Sequence, residues 1–139
     1  MFTKILLAAD GSEHSIIAAE KAISIAKGNE QAKITVLYVV DGHTSKADVL
    51  RNWDALGIKE NRKAKLKKIE VQANKENVPF EVKIIRGEPG PSIVKYANEN
   101  HFDLVVIGSR GLNALQEMVL GSVSHKVAKR VSCPVLIVK

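Results

Sequence analysis

The sequence has 139 residues and a formal net charge of +6, with 21 Lys and Arg against 15 Asp and Glu. Hydrophobic residues make up 45% of it and charged residues 26%, which are globular proportions and exclude a disordered chain. At this length we expect one domain over residues 1–139. The basic balance indicates an anionic partner without identifying it.

The cysteine content and the hydropathy of the sequence indicate a cellular compartment. With one cysteine, Cys133, the chain cannot form an internal disulfide, which is typical of a reducing compartment. No apolar run approaches the roughly 20 residues of a membrane span. The N-terminus enters a strand-like run at once and does not resemble a signal peptide. We therefore expect a cytoplasmic protein with no membrane contact.

Five short apolar runs predict β-strands. Four of them are almost entirely apolar and, taken together, mostly β-branched, which is typical of strands buried on both faces of a parallel sheet. These four runs are Ile5–Ala9, Ile34–Val40, Leu104–Ile107 and Val135–Val138. The fifth run, Phe80–Ile84, alternates apolar and polar residues, so one of its faces is solvated and we place it at a sheet edge.

Four segments between these runs have apolar residues at helical spacing. They are Ile16–Ala26 with Gly28 as its stop, Leu66–Ala73, Ile93–Ala97 starting at Pro91 or Ser92, and Val123–Val131. Strands and helices therefore alternate, which predicts an α/β fold with one open parallel sheet and helices on both faces. The least regular stretch, residues 41–59 with Trp53, is interpreted as a surface excursion of unassigned role.

Glycines follow the fourth predicted strand. Gly108-Ser109-Arg110-Gly111 comes directly after it, and Gly121-Ser122 opens the last predicted helix. Ligands of open α/β sheets bind beyond the carboxyl ends of the strands, and glycine lets the backbone approach them closely. The free amides and dipole of a helix N-terminus, capped here by Ser122, favour an anion. From spacing alone, phosphate binding and simple turn formation both remain open.

Other chemistry is not indicated by the sequence. The chain contains neither G-x-x-x-x-G-K-[ST] nor G-x-G-x-x-G, so it has no Walker loop and no dinucleotide fingerprint. Its histidines do not stand at metal-ligand spacing, so we expect no protein-held metal site. No pattern places a base beside a nucleophile, and Cys133 is interpreted as a partly buried structural thiol.

The spacing Gly108-x2-Gly111-x9-Gly121-Ser122 resembles the G-x2-G-x9-G-[ST] motif of ATP-binding universal stress proteins. The rest of the chain resembles this family at 5–12, 37–41, 87–89, 103–111, 121–124 and 133–135. The resemblance implies a Rossmann-like fold of the adenine nucleotide alpha hydrolase type. Its sheet has five parallel strands in the order 3-2-1-4-5, which agrees with the edge position of the third strand.

The resemblance also implies that ATP, AMP or another adenine nucleotide lies between the ends of strands 1 and 4. Asp10 and Val39 would contact the adenosine, Gly108 and Gly111 the ribose and phosphates, and 121–124 the phosphates through backbone amides. The implied binding residues are Ala8, Ala9, Asp10, Val39, Ile107, Gly108, Arg110, Gly111, Gly121, Ser122, Val123 and Ser124. Mg²⁺ or Mn²⁺ would be held through the phosphate oxygens.

Several charged residues have a second explanation. Asp10 contacts the ligand, or caps the first helix with Glu13 completing a capping box, or does both. Arg110 either reaches a phosphate or stays in solvent. The basic segment Lys59–Lys75 has no aromatic residue for base stacking and is interpreted as a solvated helix face, so nucleic acid is not the expected partner.

The last strand, Val135–Val138, is apolar on both faces although it would lie at a sheet edge. Such an edge invites pairing, and universal stress proteins similarly tend to dimerise there, so we expect a two-fold homodimer. The implied function is an ATP-binding regulatory or stress-response module with an unidentified partner. The alternative is a slow ATPase or autophosphorylating enzyme with Ser122 or Ser124 as acceptor, which the lack of a P-loop lysine disfavours.

Overall fold

The computed structural model describes residues 2–9, 13–40, 60–109 and 121–139, in which strands and helices alternate. The strands are β1 Lys4–Ala9, β2 Lys33–Val40, β3 Phe80–Arg86, β4 Leu104–Gly108 and β5 Val135–Val138. The helices are α1 Glu13–Ala26, α2 Glu60–Lys75, α3 Pro89–Glu99 and α4 Ser122–Arg130. The predicted excursion at 41–59 with Trp53 lies outside the described residues.

The strands form one parallel sheet in the order β3-β2-β1-β4-β5, which confirms the predicted topology. β1 lies at the centre, where Leu6 pairs with Thr35 of β2 on one side and with Val105 of β4 on the other. The apolar run of β1 is buried on both faces, as expected for the middle of a parallel sheet.

Helices cover both faces of the sheet. Successive side chains of a strand point to opposite faces, so each strand contributes to two hydrophobic layers. On one face Leu7 packs in a cluster with Ile23 of α1 and Ile69 of α2. On the other, Leu6 packs in a cluster with Val127 of α4 and the apolar residues of α3. Within the described ranges no helix is long and apolar enough to cross a membrane.

Two helix starts differ from the sequence prediction. α3 begins at Pro89, before the predicted start at Pro91 or Ser92, since the ring of proline fits the first helical position and that position needs no N–H. The interpretation of Ser122 as a cap is wrong. Gly121 is the N-cap of α4, with φ −62° and ψ 152°, and Ser122 is already the first helical residue.

β3 is an edge strand, as predicted. Its Glu81 forms ion pairs with Lys33 of β2 at 2.5 Å and with its own neighbour Lys83 at 2.8 Å. Hydrogen bonds from Lys33 and then Lys83 lower the pKa of Glu81 to about 2. The alternating pattern predicts an apolar buried face, but Val82 on that face is 38% exposed, since an edge strand has a neighbouring strand on one side only.

At the amino end of the sheet, Asp103, just before β4, binds the start of the chain through hydrogen bonds. Its carboxylate accepts hydrogen bonds from the Thr3 amide at 3.0 Å, the Thr3 hydroxyl at 2.9 Å and the Lys4 amide at 3.1 Å. Burial acts to raise the pKa of Asp103, but these hydrogen bonds outweigh it, and the pKa lies below its usual value. The ionised carboxylate therefore joins the chain's first strand to β4.

We expect Asp103→Ala to lower the free energy of unfolding by about 1.5 kcal/mol at pH 7, because hydrogen bonds to a charged group are lost. A carboxyl group with a lowered folded-state pKa stabilises the fold above its unfolded pKa of about 3.9, and this contribution disappears as the pH falls through the folded pKa. Urea unfolding at pH 7 and pH 3 measures both effects, with Glu99→Ala on α3 as the control. If Asp103→Ala lowers the free energy of unfolding equally at pH 7 and pH 3, the stabilising role of the ionised carboxylate is contradicted.

Candidate functional site

The order of the strands reverses at the centre of the sheet. α1 leads from β1 to β2 on one side, whereas β4 lies on the other side of β1. Ala8, near the carboxyl end of β1, pairs with Leu37 of β2 and with Ile107 of β4. Connections diverge at such a point and leave a crevice beyond the strand ends, where open α/β sheets bind their ligands.

The N-terminus of α4 is attached to the end of β4 by two hydrogen bonds. The Gly121 amide donates to the Ser109 carbonyl oxygen at 2.8 Å. The Ser124 hydroxyl donates to the Gly108 carbonyl oxygen at 2.6 Å, and Ser124 is only 3% exposed. Together these two hydrogen bonds fix where the first turn of α4 lies relative to the crevice.

The first turn of α4 presents backbone donors. The first hydrogen bond of the helix runs from the His125 amide to the Gly121 carbonyl oxygen at 2.9 Å. The amides of Ser122, Val123 and Ser124 precede that bond and require acceptors from outside the helix. Together with the positive end of the helix dipole, they favour an anion at this position.

α3 also has its N-terminus at the carboxyl edge of the sheet, but it is a poorer anion site. Pro89 and Pro91 lie in its first turn, and neither has an N–H to donate. Close packing joins the two helices, because a Cβ at Gly90 would lie 2.9 Å from Cδ of Lys126 on α4. The α4 terminus is therefore the better donor site of the two.

Gly108 has a packing role in addition to its place in the glycine motif. A Cβ at this residue would lie 2.8 Å from the carbonyl carbon and 2.8 Å from the Cβ of His14, in the first turn of α1. The glycine is therefore required by the approach of α1 to β4. The space freed by the missing side chain is filled by α1, so the predicted reason for this glycine, access for a ribose or phosphate, is not needed to explain it.

The apolar strand residues of the predicted site divide into buried residues and residues accessible at the strand ends. Ala8 and Ile107 are each only 5% exposed and belong to the hydrophobic cluster under α3 and α4. Ala9 and Val39, at the ends of β1 and β2, are only partly buried. Ala9 and Val39 are therefore the apolar side chains of the predicted set that remain accessible at the strand ends.

Two residues of this region were missed by sequence reasoning. Ser109 is not among the predicted binding residues, yet its amide donates to the Val138 carbonyl oxygen at 2.8 Å while its own carbonyl accepts from Gly121. Its position directly after a motif glycine was the available signal. His14 contacts Gly108 from a distant part of the sequence, and no local pattern could have indicated that contact.

Three predicted site residues, Asp10, Arg110 and Gly111, lie outside the described residues. In the described part of the chain, no group of three or more His, Cys, Asp and Glu residues could hold a metal ion. Cys133 packs partly buried beneath α3 and α4, and this burial raises the pKa of its thiol. A protonated thiol is a poor nucleophile, in keeping with a structural role.

Comparison with known proteins identifies the family. The profile of the universal stress protein family matches residues 1–139. The chain belongs to the universal stress protein family. It is 39% identical to the universal stress protein YxiE of Bacillus subtilis, over the full length of both chains. It is also 34% identical to the universal stress protein MJ0531 of Methanocaldococcus jannaschii, covering 100% of this chain and 83% of that one.

Solved structures of universal stress proteins have the same fold. The hypothetical protein MJ0577 superposes with a TM-score of 0.78 at 30% identity, covering 100% of this chain and 96% of the other. A universal stress protein in complex with cAMP superposes with a TM-score of 0.76 at 27% identity, covering 99% and 97%. Binding of an adenine nucleotide therefore occurs in a structural relative of this chain.

We expect Gly108→Ala to lower the free energy of unfolding by about 1–3 kcal/mol, because the added methyl group meets the backbone of α1. Gly90→Ala is the matched control, since its added methyl group meets only the flexible Lys126 side chain, which can move aside. Urea denaturation of both variants and the parent measures the difference. A Gly108→Ala variant as stable as Gly90→Ala would contradict the packing role of Gly108.

Proposed function

We propose that this universal stress protein binds an adenine nucleotide, ATP in the first place, across the carboxyl ends of β1 and β4. The observation that carries the proposal is the N-terminus of α4, which is hydrogen-bonded to the end of β4 with three backbone amides ahead of the helix's own hydrogen bonds. In this assignment the phosphates occupy that terminus, and the nucleotide is a regulatory signal.

The phosphates would be held by Ser122, Val123 and Ser124 through their backbone amides. Hydrogen bonds from an amide to a charged oxygen are about twice as strong as neutral ones, and the helix dipole adds about half a positive charge. Ser122 is exposed, which leaves this turn accessible from solvent. The Ser124 hydroxyl is buried and already donates to Gly108, which disfavours Ser124 as an acceptor of phosphoryl groups.

The adenosine would lie against the ends of β1 and β2. Val39 supplies partly buried apolar surface on the face covered by α3 and α4, and Ala9 supplies it on the opposite face. Asp10 is proposed to contact the ribose or base. The cAMP complex of a structural relative supports an adenine nucleotide in this role. Since the described residues offer no acidic cluster, we propose that Mg²⁺ or Mn²⁺ binds through phosphate oxygens and water.

We also propose a homodimer paired through β5. The two edges of the sheet differ in chemistry: β3 carries the ion pairs of Glu81 with Lys33 and Lys83, whereas β5 is Val-Leu-Ile-Val, with Leu136 36% exposed. Charged edge residues oppose strand pairing, and a bare apolar edge favours it. A two-fold axis at β5 would place one bound nucleotide in each subunit and join the two sheets.

Gly121→Val tests the nucleotide site. The backbone of Gly121 lies at φ −62° and ψ 152°, which valine adopts without strain, so the variant is expected to fold. The branched side chain stands beside the first amides of α4, and we expect it to raise the Kd for ATP at least about ten-fold, or 1.4 kcal/mol. Isothermal titration calorimetry with ATP and MgCl₂ measures the change.

Ala128→Val is the control for that experiment, because it adds the same kind of side chain to α4 about two turns beyond the site. Its ATP affinity should equal that of the parent protein. Unchanged ATP affinity in a folded Gly121→Val protein would remove the site assignment. A parent protein that binds none of ATP, AMP and cAMP would remove the proposed function.

Leu136→Lys tests the dimer. A lysine on β5 brings a charge to the proposed pairing edge in each subunit, so we expect the mass measured by light scattering to fall from two chains to one. Val82→Lys is the matched control, since Val82 is 38% exposed on the opposite edge strand, and its dimer should persist. A monomeric parent protein at micromolar concentration, or loss of the dimer in Val82→Lys alone, would contradict pairing through β5.

A further inference from the structure

The Ser124 side chain has a role that differs from that of its backbone. Its amide belongs to the set proposed to meet the phosphates, but its hydroxyl points into the protein and donates to the Gly108 carbonyl oxygen at 2.6 Å. Ser124 is 3% exposed. Because a hydroxyl has one hydrogen to donate, that hydrogen is already used and is not available to a ligand.

The acceptor of this hydrogen bond is held firmly from several directions. The backbone of His14 presses on Gly108 from α1, so closely that no Cβ would fit there. The next residue, Ser109, accepts from Gly121 at 2.8 Å and donates to Val138 of β5 at 2.8 Å. The carbonyl of Gly108 is therefore a fixed reference point, and α4 is the element that the Ser124 hydroxyl positions against it.

We infer that Ser124 is a positioning residue, whose hydroxyl holds the first turn of α4 where its amides converge on the phosphates. The inference rests on the proposed nucleotide site and adds a part that the glycine motif does not specify. Gly121 alone attaches only the N-cap, whereas Ser124, three residues further on, fixes the rotation of the turn about the helix axis. Both attachments together define the direction of the three amides.

Loss of the hydroxyl has a specific expected consequence. In Ser124→Ala the Gly108 carbonyl oxygen is buried without this donor, and the turn is released on one side. The affinity for ATP should fall about ten-fold, whereas adenosine, which has no phosphate, should bind as it does to the parent protein. Ser124→Thr keeps the hydroxyl and should restore most of the ATP affinity.

The control is Ser132→Ala. Ser132 follows α4 at its other end, and its hydroxyl donates to Asn98 Oδ1 at 2.9 Å. This variant also removes one serine hydroxyl and one hydrogen bond next to the same helix, so a general loss of stability affects both variants. ATP affinity should change only in Ser124→Ala. If that variant does not fold, Ser124→Cys keeps the size of the side chain, has only a weak S–H donor and should show the same loss.

Calorimetry with ATP and with adenosine, and amide hydrogen exchange of residues 121–124 without ligand, are measured on the same variants. Selective loss of ATP affinity together with faster exchange in Ser124→Ala supports the inference. Equal loss for ATP and adenosine, or ATP affinity unchanged, overturns it. If the parent protein binds no nucleotide, the proposed function fails by itself. The amide exchange rates of residues 121–124 then test whether Ser124 positions the turn. Rates in Ser124→Ala equal to those of the parent protein would overturn the inference.

Discussion

The end of β4 is the most constrained point of the molecule, because four elements meet there within two residues. Gly108 lies against the first turn of α1, where an added Cβ would stand 2.8 Å from the backbone of His14. The carbonyls of Gly108 and Ser109 accept from α4 and its N-cap, and the amide of Ser109 donates to β5. Protein interiors are packed too densely for such a point to shift by itself. The position of the α4 terminus therefore follows from the packing of β4.

The proposed anion site makes little use of charged side chains, although the protein is small and basic. The net charge of +6 belongs to the whole chain, whereas the proposed phosphate contacts are backbone amides of α4. Amides fixed in advance lose little freedom when a ligand binds, which favours affinity. Charged groups have structural roles elsewhere in the described part of the chain. Asp103 joins β4 to the first strand, and Glu81 of the edge strand β3 forms ion pairs with Lys33 and Lys83.

Much of the fold could be predicted from the sequence, because its signals are local. The apolar run Ile5–Ala9 predicts a strand buried on both faces, the alternation in Phe80–Ile84 predicts an edge, and Gly28 marks the end of α1 with φ +83°. The strand order, by contrast, came from the resemblance to universal stress proteins, since local patterns do not specify which strands are neighbours. The structure confirms that order.

The roles within the site were harder to predict, because they depend on contacts between distant residues. Gly108 appears in a ligand motif, but its missing side chain is explained by His14, which no spacing rule connects to it. The hydroxyl of Ser124 could face a ligand or the protein, and only the position of β4 decides between them. Ser122 fits a cap by residue type, yet the extended backbone of Gly121 takes that position.

In the proposed function, phosphate binds to backbone amides at the start of α4. Titration of ¹⁵N-labelled protein with ATP, followed by amide NMR, tests it most directly, because each amide is observed separately. We expect the amide resonances of Ser122, Val123 and Ser124 to shift most with ATP and much less with adenosine. Shifts of similar size with both ligands, or ATP-dependent shifts that leave these three amides unchanged, would contradict it.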